Sequence, residues 1–246
     1  MSQVVKKKLV VVSAVVIVPA LLITLALIMQ AQAGTAATTS ASPTPAEKPT
    51  VAAAPKTISL PAPTLDGKMS LEKALATRRS THQISGKALT NEQLGQLAWS
   101  GQGITDKAGK GLRAAPSARG SYPITLYFAT PTGLYRYVPQ KHAFEVIMET
   151  DVRAKVHRQV GTASCGVIIA GKFDKNSTAA YGSKAPKWTV LEAGHIAENV
   201  LLEATAMGLT SVPLGGFTNV TEAGKLCNLA EDEEPIYLVS IGTPAN

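Results

Sequence analysis

Apolar positions along the chain switch repeatedly between helical and strand spacing. Leu71, Ala74 and Leu75 follow Ser70, a good N-cap residue, and predict a short helix with those three side chains inward. Thr90 and Gln93 stand in capping-box spacing ahead of Leu94, Leu97 and Ala98, which predicts a second helix. ITLYFA (124–129) and GLYRYV (133–138) are β-branched and aromatic runs flanking TPTG, a hairpin pattern, and HAFEVIM (142–148) adds a further strand. DVRAKVHRQV (151–160) reads as a short helix capped by Asp151. CGVIIAG (165–171) is a continuous apolar run, the mark of a strand buried on both faces. Residues 188–209 carry a broad apolar helical face that stops near Gly208, and PIYLVSIG (235–242) predicts a last strand. Hairpin strands interleaved with helices imply an α+β fold with a mostly antiparallel sheet, rather than a doubly wound one.

The N-terminal quarter follows different rules. Leu9 to Met29 is uncharged and apolar, and a helix of that length spans about 30 Å, the thickness of a bilayer core. Two readings stay open. Its length favours a retained transmembrane anchor, while Ala31-Gln32-Ala33 has the small-x-small form of a signal-peptide cleavage site. Lys6, Lys7 and Lys8 precede the run, so either reading places the rest of the chain outside the cytoplasm. Residues 34–60 are rich in Ala, Thr, Ser and Pro and are expected to form a disordered tether. The expected organisation is thus a segment 1–33, a linker 34–60 and a domain 61–246.

Composition narrows the function classes. Net charge is +7, but Lys6, Lys7, Lys8, Lys48 and Lys56 precede residue 60 against Glu47 alone. The domain itself is near balance and poor in aromatics, which argues against nucleic-acid binding. Cys165 and Cys227 lack metal-ligand spacing, and no metal site is expected; a bridge between them stays open. Residues 101–113, GQGITDKAGKGLR, read as a mobile glycine- and lysine-rich loop. Its GQG is no dinucleotide fingerprint, since the third glycine and a preceding strand are missing, and its GKG is no P-loop.

Three stretches carry candidate chemistry. Arg78, Arg79 and Ser80 end the first helix; paired guanidinium groups and a hydroxyl suit a phosphate. Pro116, Ser117 and Ala118 form a small-residue turn before a strand. Pro213, Leu214, Gly215 and Gly216 end a short strand in a glycine turn that permits close backbone approach. Glu192, His195 and Glu198 share the long helix, where capping and subunit contacts compete with an acid/base role.

The order of these stretches, with LAWSGQGITD between the first two and EEPIYLVSIGTP after the last, resembles the nitroreductase superfamily, and within it the SagB-type dehydrogenase branch. The resemblance spans residues 70–244. It implies an FMN enzyme, a homodimer with the flavin in a cleft between subunits, transferring hydride or electron pairs between a reductant and an organic acceptor. By that likeness Arg78, Arg79 and Ser80 contact the phosphate, ribityl chain and ring edge. His82 stands near the pyrimidine edge, where relatives carry Arg or Lys. Pro116, Ser117 and Ala118 approach the flavin of the partner subunit, and Pro213 to Gly216 lie along the ring. The chemistry belongs to the flavin, so no catalytic side chain is expected. Three departures stand out: ARG follows Ser117 where many relatives have Asn, no basic pair follows the last strand, and an outward-facing domain lacks a cytoplasmic nicotinamide donor. Arg113 is a spare phosphate ligand. The alternatives are an azoline dehydrogenase acting on a cyclised peptide, and a flavin-binding or partner-docking domain without activity.

Overall fold

The computed structural model describes residues 54–106, 108–173 and 182–245. The apolar run 9–29, the cleavage pattern at Ala33 and the tether up to residue 53 lie outside them. Among the described residues no helix is long and apolar enough to cross a membrane.

Among the described residues eight strands form one sheet: β1 (Thr57–Ser59), β2 (Ile84–Ser85), β3 (Ile124–Thr130), β4 (Gly133–Val138), β5 (Ala143–Met148), β6 (Cys165–Lys172), β7 (Thr210–Leu214) and β8 (Glu233–Pro244). Their order is β1-β5-β4-β3-β6-β8-β2, with β7 also on β8, and the pairings between them are antiparallel. The helices are α1 (Leu71–Thr77), α2 (Asn91–Gln102), α3 (Arg153–Val156), α4 (Ala185–Ala206) and α5 (Val220–Leu226).

Local signals explain most of these elements. Ser70 Oγ accepts from Lys73 N–H at 3.2 Å, and the Thr90–Gln93 capping box closes in both directions. Helix α4 starts three residues earlier than the sequence suggests, with Pro186 in its first turn, and stops before Gly208, whose φ of +71° suits glycine alone. One core layer joins Leu94, Leu97 and Ala98 of α2 and Ile196, Ala197 and Val200 of α4 to Leu126, Phe128, Val167, Ile169, Val239 and Ile241. The opposite face of the sheet packs Tyr127, Leu134, Ile168 and Leu238 against Val152, Val156 and Cys227. Strand β6 is covered on both sides, which is why its sequence shows no alternation.

Several expectations are corrected. Thr57–Ser59 pairs with β5 and Leu60 is buried, so the folded part begins inside the expected tether. Only Ala74 of α1 is buried; Leu71 and Leu75 are 61% and 55% exposed. Val152, not Asp151, is the N-cap of α3, and Asp151 instead accepts from Arg153 N–H at 3.1 Å and pairs with the Arg153 guanidinium. Gly101 belongs to α2. The loop after it is tied down: Asp106 accepts the backbone N–H groups of Lys110 at 2.6 Å and Leu112 at 2.7 Å, and Ile104 bridges Arg113. Cys165 and Cys227 are free thiols in different core layers, and burial pushes both up to about 12.

Candidate functional site

The arginine–serine stretch and the glycine turn meet at β7. Ser80 forms a parallel bridge with Ser211, and Thr81 N–H donates to Ser211 O at 3.1 Å. The turn at Gly215 lies four residues beyond Ser211, about 13 Å along an extended chain. Arg79 and Ser80 are exposed, and Arg78 is half-buried. Arg79 Nη1 donates to Arg78 O at 2.7 Å, while Arg78 Nε lies 3.6 Å from Glu198 Oε1 on α4. The backbone at Gly215 and Gly216 borders open space: a Cβ added at either would meet nothing within 4 Å. Pro213 and Leu214 pair with Val239 and Leu238, and Leu214 packs against the core, so those two anchor the turn rather than offer side chains.

A third segment, after α3, completes this wall. His82 Nδ1 lies 2.9 Å from Gln159 Oε1. Thr218 N–H donates to Val156 O at 3.0 Å, which ties the chain after the glycine turn to the end of α3, where this segment begins. A Cβ at Gly86 would stand 2.9 Å from Thr162 O, so these two segments touch there. Sequence reasoning missed Gln159, Ser211 and Thr162. Their neighbours carry no motif, and they join the site only through tertiary contact.

Pro116, Ser117 and Ala118 stand elsewhere in the chain. With Trp188, Leu191, Glu192 and His195 they line an open recess of about 270 Å³. The Ser117 hydroxyl is committed within its own chain: it donates to Glu192 Oε2 at 2.5 Å and accepts Tyr122 N–H at 2.8 Å. Glu192 is 3% exposed and also accepts from Gln102 at 3.4 Å. Burial raises its carboxyl above the usual glutamate value, against the opposing pull of Ser117, Gln102 and Arg113. Arg113 donates to Gln102 Oε1 at 2.8 Å and stacks 4.6 Å from the Tyr122 ring centroid; it serves this network, not the arginine stretch. The turn is strained, with Arg119 at φ 53° and Tyr122 at φ 47°. Among the described residues no cluster of His, Cys, Asp and Glu is arranged to hold a metal ion.

Glu198 and Glu192 are six residues apart on α4, about 9 Å in rise and about 120° around the helix. The arginine stretch and the Ser117 turn are therefore held on different faces of one helix.

The result is an α+β protein in which an arginine–serine stretch joins the strand that ends in an open glycine turn. The nitroreductase family model matches residues 75–243, and the chain belongs to that family, a family of oxidoreductases. A nitroreductase-family protein of Methanocaldococcus jannaschii is 28% identical over 198 residues, covering 76% of this chain and 96% of that one. A crystallised nitroreductase-family protein of Ralstonia eutropha JMP134 is 32% identical, with a TM-score of 0.71 over 77% of this chain and 90% of its own. The Escherichia coli microcin synthetase McbBCD complex matches at 17% identity and a TM-score of 0.58, over 76% of this chain and 77% of the matched chain, a likeness of fold alone.

Proposed function

We propose that the chain is an FMN-dependent oxidoreductase. The observation that carries this is the Ser80–Ser211 bridge, which joins the arginine–serine stretch to the strand that ends in the open glycine turn at Gly215 and Gly216. The residues fit the group: exposed guanidinium donors suit a phosphate, and a glycine backbone bordering open space suits a flat ring. When bound, FMN would supply two-electron transfer between a reductant and an organic acceptor. The chain's own part is to grip the phosphate through Arg78, Arg79 and Ser80, to present His82 at the ring edge, and to keep the turn at Pro213–Gly216 clear of side chains. The visible spectrum of the purified protein tests this: absorbance typical of bound flavin supports it, and a colourless protein that takes up no added FMN opposes it.

The active unit is proposed to be a homodimer. The attachment of the Ser117 turn and the arginine stretch to different faces of α4 supports this, because a second copy can bring its own turn to the glycine wall. Val190 and Leu191 on α4 are half-exposed, and Leu65 and Leu71 line an open groove of about 340 Å³ with Met69, Trp99 and Leu202. Such apolar exposure suits a subunit contact. For the SagB-type branch and its peptide substrates, support rests on motif order and on likeness of fold. The length of the run 9–29 supports membrane tethering with the domain outward; retention in membranes after alkaline wash tests it, and release opposes it.

A further inference from the structure

Gln159 carries an unusual burden. Its Nε2 is covered by protein and has no hydrogen-bond partner, while its Oε1 stands 2.9 Å from His82 Nδ1. Because Nε2 is fully covered, no ligand can reach it from the cleft. An orphaned buried N–H group costs more than an under-satisfied carbonyl oxygen. A half-turn of the carboxamide exchanges the two atoms. One Nε2–H then donates to His82 Nδ1, and the covered position holds a carbonyl oxygen in place of the orphaned amide donors.

The consequence falls on His82. A ring nitrogen that accepts a hydrogen bond carries no proton, so the neutral imidazole must hold its proton on Nε2. We propose that Gln159 is a positioning residue that fixes His82 as the Nε2–H tautomer, making it a neutral hydrogen-bond donor toward the ligand in the cleft. This rests on the FMN reading only for the identity of that ligand. A donor at this place suits the N1 and O2 acceptors of a flavin's pyrimidine edge. It serves without any charge on the imidazole, where a lysine or arginine would act as a cation. The opposite tautomer would present a lone pair there and repel those acceptors.

The test is long-range ¹H–¹⁵N correlation on the full-length, FMN-free protein, above the pH at which the histidines are protonated. The chain has four histidines, and His82→Asn assigns the signal. The bias of His82 toward the Nε2–H form is expected to exceed the preference that free histidine already has for this tautomer by about 2- to 12-fold, the factor that one net hydrogen bond supplies. Gln159→Glu, which can only accept, should move the proton to Nδ1, and Gln159→Leu should return the ratio to that of free histidine. A wild-type His82 protonated on Nδ1, or a tautomer ratio unchanged in Gln159→Leu, would overturn the proposal. Because the measurement is made without flavin, failure to bind FMN would sink the cofactor reading and leave this result standing.

Discussion

Arg78 Nε stands 3.6 Å from Glu198 Oε1, so one of the two guanidinium groups offered to a phosphate already has a weak carboxylate partner. Both side chains are partly solvated, and such pairs contribute about 0.2–1 kcal/mol. Binding a phosphate competes with that pair. Glu198→Gln should therefore raise FMN affinity by about 1.5- to 5-fold, measured by quenching of flavin fluorescence, with less effect at high salt. A fall in affinity would show that Glu198 helps the ligand rather than competing with it.

The glycine turn allows binding to be separated from folding. A Cβ at Gly215 or Gly216 meets nothing in the protein, and neither residue has positive φ. The double variant Gly215→Ala/Gly216→Ala should keep its stability within about 0.5 kcal/mol in thermal unfolding. Its FMN affinity should drop roughly 5- to 150-fold, as overfilling a close contact costs about 1–3 kcal/mol. Unaltered affinity would place the ring away from this turn.

Glu192 gives a pH signature. Its carboxyl is raised above the usual value near 4.5, chiefly by burial. A raised folded-state value means that its contribution to stability is fully present below about pH 4.5 and is lost as pH rises through the raised value. Over that window Glu192→Gln should show a flatter decline of unfolding free energy than wild type. The difference in slope is at most about 1.4 kcal/mol per pH unit. Denaturant unfolding between pH 4 and pH 8 measures it, and parallel curves would contradict it.

What was legible in the sequence was mostly local. Ser70, the Thr90–Gln93 box and Gly208 mark helix ends through contacts within four residues, so their identities suffice. The hairpin joining β3 to β4 and the buried β6 were legible for the same reason. Strand β1 was not: its three residues in a proline-rich stretch are strand only because β5 pairs with them. Leu71 and Leu75 follow helical spacing yet lie exposed, because periodicity shows that a face is apolar but not what covers it. In the candidate site, the arginine stretch and the glycine turn were legible as motifs. Their meeting through Ser80 and Ser211, and the part taken by Gln159, arise from long-range packing that no spacing encodes. The recess around Ser117 was read as a backbone approach alone; the commitment of its hydroxyl to Glu192 needs the helix in place.

Assembly can be tested through α4. Val190 and Leu191 are half-exposed, while Glu192 beside them is buried and holds the Ser117 turn. If this face meets a second copy, Val190→Asp/Leu191→Asp should convert a dimer to a monomer in light scattering and release FMN, with circular dichroism unchanged. A wild-type monomer that retains tightly bound FMN would contradict the shared site.

The phosphate grip is the central claim, and FMN titration of the folded double variant Arg78→Ala/Arg79→Ala tests it most directly. Each charge-assisted hydrogen bond contributes roughly 1.5–3 kcal/mol. Losing several should weaken FMN binding by about two to four powers of ten, at about 1.4 kcal/mol per tenfold. Riboflavin, which lacks the phosphate, should bind wild type and variant about equally poorly, and Lys110→Ala in the Asp106-tied loop should change little. A folded double variant that binds FMN as tightly as wild type would contradict the account and leave Arg78 and Arg79 as solvated surface charge.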